Sequence, residues 1–145
     1  MKHEINRSNV SYRNKPIYQF LFLLTIASAV GLQGWRTVFN NFAVDEVGIN
    51  GFWMGIIQSV REVPGFLALL VVFILLLIRE HRLSSISVLI MGFGIAIVGF
   101  FPSNIGLVMT TLLMSTGFHY FETTNQSLTL QYFDAQTSPW VFGKL

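Results

Sequence analysis

The sequence contains no cysteine, which excludes a disulfide framework, a thiol nucleophile and a Cys-ligated metal. Its three histidines, His3, His81 and His119, are scattered and make no metal-ligand spacing, so neither a metal nor a cofactor is expected. Charge is scarce too: Asp, Glu, Lys and Arg make up 11% of 145 residues, where a soluble domain carries about 25%. Nine basic residues against seven acidic ones form no basic patch, so a nucleic-acid module is excluded despite the pI near 9.2. No Ser/His/Asp spacing, glycine-rich phosphate loop or zinc motif occurs, and the chain is not expected to be an enzyme.

What is present is apolar. Hydrophobic residues reach 52%, with 14 Phe and a mean hydropathy of +0.59. A soluble fold of this size has to cover its surface with polar groups, and this chain lacks them. The expected fold class is an all-α membrane protein. A helix needs about 20 apolar residues to cross the hydrocarbon core, and four segments qualify: roughly 17–40, 52–78, 83–101 and 105–130. The connections NFAVDEVGING, REHR and PSN are short, so sequential helices should lie side by side and antiparallel. The chain divides into a cytoplasmic tail (1–16), a four-helix transmembrane region (17–130), and a segment (131–145) that is a cytoplasmic tail or the start of a truncated fifth helix. Trp140, Val141, Phe142 and Leu145 read as the approach to another membrane helix, so a piece of a longer protein is expected, with its remaining helices as partners.

Basic residues set the orientation. Lys2, Arg7, Arg13 and Lys15 precede the first span, and Arg79 and Arg82 lie in the second loop. Lys144 follows the last span, whereas the first loop holds only Asp45 and Glu46 and the third holds no charge. Both termini are therefore expected on the cytoplasmic side of a cell membrane. Ala27-Ser28-Ala29 imitates a signal-peptide cleavage site. Helical apolarity nevertheless continues past it through Val30, Leu32, Trp35 and Val38.

A charge at membrane depth is costly and normally faces a cavity or a partner. Arg36, Arg61, Glu62 and Glu122 lie inside the expected spans, and their charges sum to zero. With His119 and Gln126 they are the candidate substrate or proton pathway, while Gln33, Trp35, Gln58 and Asn125 are candidate cavity-lining residues. The third span carries none of these and is expected to be peripheral, facing lipid. The polar residues recur at helical spacing: Thr25, Gln33, Arg36 and Asn40; Gly51, Gly55, Gln58, Glu62 and Gly65; Ser115, His119, Glu122 and Gln126. Each stripe can also be read as helix–helix glue, and the Gly51/Gly55 pair as simple close packing. At 1.5 Å per residue, Arg36 sits about 11 Å and Glu62 about 5 Å outside the midpoints of their spans, and Glu122 about 7 Å inside. Arg61 and Glu62 point roughly 100° apart, so the expected pair is Arg36 with Glu62. Pro64 cannot donate to the Val60 carbonyl, so a kink is expected there.

The first and fourth spans echo each other. GLQGWRTVFNN from Gly31 aligns with GFHYFETTNQS from Gly117, and Arg36 falls opposite Glu122. Helices one and four run in opposite directions, as an inverted three-helix repeat requires. Over its whole length the chain resembles the start of a major facilitator superfamily (MFS) transporter: a basic start, tight hairpins, a polar first helix and an apolar third. The resemblance implies the N-terminal part of a six-helix half, with helices one, two and four lining a central cavity. It implies a small-molecule substrate moved by alternating access; Glu122, near the middle of its span with His119 one turn away, is the candidate carboxylate for a coupling proton. The family's loop after helix two, Gly-x-x-x-Asp-Arg-x-Gly-Arg-Arg, is here Leu-Leu-Leu-Ile-Arg79-Glu80-His81-Arg82-Leu83. The glycines and the Asp are missing, which implies a divergent branch. Two alternatives are a small four-helix multidrug exporter, whose essential Glu sits in a first helix that here carries Arg36, and a non-transporting four-helix membrane assembly protein.

Overall fold

A computed structural model describes residues 14–145. Pro16 lies in the first turn of α1 (Lys15–Asn41), where its missing N–H has no intrahelical partner to lose. A π-helical turn, Phe42–Glu46, carries the helix into the expected first loop. The chain then reverses over 47–50, with Gly48 at φ 70°, the left-handed region that favours glycine. Asn50 caps α2 (Gly51–Phe66) by accepting from the Trp53 N–H at 3.1 Å. Pro64 lies within α2. A 3-10 stretch, Leu67–Leu70, follows before the helix resumes as α3 (Val71–Leu75), so the expected second span changes helix type just past Pro64-Gly65. α4 (Glu80–Ile97) starts inside the expected second loop, with Glu80 in its first turn, where the helix dipole favours an anion. Ser103 caps α5 (Asn104–Tyr132), accepting from the Gly106 N–H at 3.0 Å. A short α6 (Ser138–Phe142) ends the chain.

Three helical stretches are long and apolar enough to cross a membrane: Lys15–Glu46, Gly51–Leu75 and Glu80–Phe100, with mean hydropathies of 1.5, 1.7 and 2.2. Four were expected. The fourth, α5, has the length at 29 residues, but its Ser, Thr, His, Asn, Gln and Glu side chains lower its hydropathy and leave it outside this set. Leu23, Val30, Phe66, Leu69, Leu76, Leu77 and Leu89 are exposed, an apolar exterior compatible with a multi-pass membrane protein.

The helices pack out of chain order. α4 and α5 form the closest pair, α1 lies against α4, and α2 against α5. The expectation that every tight hairpin juxtaposes its helices therefore holds only for α4–α5. Glycine explains that choice. A Cβ on Gly94 would stand 2.7 Å from the Met114 N, and one on Gly117 2.4 Å from both the Met91 N and the Ser87 carbonyl oxygen. Small residues let the two backbones touch. The third span packs through one face only. Ile86, Leu89 and Phe93 face outward, but Leu83, Ser84, Ser87, Met91 and Gly94 are buried. The echoed glycines share a role, since Gly31 of α1 also approaches Met91, from its side-chain end.

At one end of the bundle, the Asn14 side-chain amide donates to the Tyr132 carbonyl at 2.6 Å, and the Gln131 amide donates to the Glu80 carboxylate at 2.5 Å. The starts of α1 and α4 thus meet the end of α5. The segment 131–145 packs against this end of the bundle. Val141 is buried with Leu21, Leu128 and Phe133, and Trp140 stacks on Tyr18 at 6.1 Å. The tail charges Lys2, Arg7 and Arg13 lie outside the described residues.

Candidate functional site

α1, α2 and α5 converge on a cavity of about 120 Å³ lined by Leu32, Arg36, Arg61, Glu62, Met114, Ser115, Phe118 and His119. Its wall is partly polar because each helix turns its polar stripe this way. Ser115 donates a short hydrogen bond to the Arg61 carbonyl, pinning α5 to α2 one residue past the Val60 carbonyl that Pro64 cannot serve. Gly65 has no side chain, and the His119 ring occupies that space: a Cβ there would lie 3.1 Å from the ring carbon Cε1.

The ion pair is not the expected one. Arg61 donates to one Glu62 carboxylate oxygen through Nε at 3.0 Å and Nη2 at 2.8 Å. The 100° between adjacent positions applies to Cβ directions, and the long guanidinium arm folds back across it. Arg36 lines the same cavity, but among the described residues no carboxylate lies within salt-bridge distance of it. His119 bridges two acids on different helices, with Nε2 at 3.9 Å from Glu62 and Nδ1 at 3.8 Å from Glu122. Both carboxylates are half exposed at 52%, while the imidazole is 17% exposed. Arg36, Gln33, Glu62, Glu122 and Gln126 together leave the helices with an exposed polar face.

Arg36, Arg61, Glu62 and His119 thus share one cavity, with Glu122 behind the imidazole. The other predicted residues lie outside its wall. Trp35 is 5% exposed, stacks on Phe39 at 4.3 Å and lines a separate apolar cavity of about 420 Å³ between α1 and α4. Gln58 contacts the Met54 sulfur, Asn125 has an unpartnered buried carbonyl oxygen, and Gln33 and Gln126 are exposed. A larger opening of about 800 Å³, lined by Asn14, Phe20, His81 and Gln131, contains none of Arg36, Arg61, Glu62 and Glu122. Ser115 and Gly65 were visible as stripe members, but their contact with a neighbouring helix was not. Among the described residues no three His, Asp or Glu side chains converge as a metal-ligand set. No protein family, curated protein or solved structure matches the chain.

Proposed function

We propose that this chain forms the first four membrane helices of a secondary active transporter similar to the MFS, moving a small solute by alternating access with a proton as coupling ion. The observation that carries this reading is the charged cavity between α1, α2 and α5, set in helices whose outer faces are apolar. Buried ion-pair glue needs no cavity and no unpaired cation, whereas a solute path needs both a space and groups to address the solute. In this reading α5 is the fourth span, both termini are cytoplasmic, and the uncovered polar face is closed by further helices of a longer chain. Glu122 is the carboxylate of the coupling site, holding the transported proton on the neighbouring His119.

Purified protein in proteoliposomes should accumulate its solute when a pH gradient is imposed. Glu122→Gln keeps hydrogen bonding but removes the charge that holds this proton, and it should abolish accumulation while solute exchange persists. Uphill transport by Glu122→Gln with wild-type pH dependence would remove Glu122 from the coupling role. The reading frame supplies a second check: an open frame past codon 145 with eight further apolar segments supports the twelve-helix form, and a stop codon contradicts it.

A further inference from the structure

The site's charges define the class of solute and its proton stoichiometry. We infer that the cavity binds a small monocarboxylate together with one proton, carried on His119; this rests on the transport reading and names its substrate class. Two guanidinium groups, Arg36 and Arg61, face the cavity against one carboxylate, Glu62, and Arg61 is already engaged with that carboxylate. Arg36 is left to address a ligand, and a guanidinium fork suits a carboxylate. Leu32, Met114 and Phe118 supply the apolar remainder of the wall, which fits a short carbon chain better than a bare halide. At about 120 Å³ the space equals roughly four water volumes, the size of an acetate-like anion.

The proton follows from the whole cluster. α1 contributes Arg36, α2 contributes Arg61 and Glu62, and α5 contributes Glu122 beside His119; α4 and the 67–75 segment contribute no titratable group between Leu83 and Ile97 or Leu67 and Leu75. With neutral His119 these charges cancel, so an added monoanion leaves a net negative charge on the cluster. One proton on the imidazole, held between Glu62 and Glu122, restores neutrality. Loading is therefore one anion with one proton, and unloading releases both. No bond other than N–H forms or breaks.

The test uses acetate as probe and the purified chain in lipid nanodiscs, with the histidine ring resonances and calorimetry as readouts. One linked proton predicts that acetate affinity falls about tenfold per pH unit once His119 is deprotonated. Acetate should also shift the His119 resonances toward the protonated form. His119→Gln should bind acetate weakly at every pH. Glu62→Gln should leave a net positive cluster even with neutral imidazole, so its binding should persist at high pH and lose the pH slope. Wild-type binding that prefers tetramethylammonium to acetate, or that shows no pH slope, overturns the inference. So does a wild-type slope in His119→Gln. The outcomes separate the two readings. If proteoliposomes carry a cationic or neutral solute and no monocarboxylate, this inference fails and the transport reading stands. If acetate and a proton bind with the stated linkage but no solute crosses, the transport reading fails and the binding site stands.

Discussion

Gly117→Ala tests whether the α4–α5 contact organises the bundle. The new methyl carbon would stand 2.4 Å from the Met91 N and the Ser87 carbonyl oxygen and 2.9 Å from the Met91 Cα. Ordinary contact begins at 3.4 Å, so the two helices must part by about 1 Å. The opposing atoms are mostly backbone and cannot rotate aside. Overpacking costs about 1–3 kcal/mol, and this geometry belongs at the upper end, about 3 kcal/mol. That is roughly a hundredfold in the folding equilibrium, at about 1.4 kcal/mol per factor of ten. Gly92→Ala is the control, because a Cβ there meets nothing within 4 Å; its effect should stay within about 0.5 kcal/mol. Reversible unfolding in mixed micelles, followed by tryptophan fluorescence, reports both. Equal stability of the two variants would refute the packing argument.

Three further predictions follow from other parts of the molecule. A cysteine replacing Glu46 should label from outside intact cells with an impermeant thiol reagent, and one replacing His81 should not; equal labelling contradicts the orientation. Arg61 and Glu62 are 26% and 52% exposed, so a double-mutant cycle with Leu should give a coupling of no more than about 1 kcal/mol. The corresponding Arg36–Glu62 cycle should give none, and a larger value there would restore the pair expected from sequence. Asp134 accepts from Thr137, side chain and backbone, and from the Gln136 N–H, which holds its carboxyl below the ordinary 3.8. A depressed carboxyl stabilises above its ordinary value and loses that contribution as pH falls through the lowered one. The turn into α6 should therefore loosen in acid below about pH 3.8, and Asp134→Ala should loosen it at neutral pH. Trp140 emission, in a variant lacking the other tryptophans, reports its contact with Tyr18; emission unchanged in both conditions contradicts this role.

Helix positions were legible because apolar run length is a local signal. The polar stripes were legible for the same reason, since spacing along one helix fixes a face. Neighbour choice was not. It depends on where backbones can approach, and Gly94 and Gly117 sit in sequence among glycines, such as Gly92 and Gly99, that touch nothing within 4 Å. The ion pair was misread because helical angles describe Cβ directions, while Arg61 closes on Glu62 through a long flexible arm. Trp35 stands beside Arg36 in sequence, yet adjacent helical positions face different neighbours, so it lines the separate apolar cavity and stacks on Phe39. Ser115 shows the same limit, because its place in a stripe says nothing about the Arg61 carbonyl it meets.

The central claim is that α1, α2 and α5 enclose a water-reachable charged cavity at membrane depth. Single cysteines on α5 and α4, reacted in intact membranes with a small water-soluble thiol reagent, test it most directly. Cysteines replacing Phe118 and His119, in the cavity wall, should react, while those replacing Leu89 and Phe93, on the apolar exterior, should not. Reaction at Leu89 and Phe93 as fast as at His119, or silence at Phe118 and His119 together, would contradict the account.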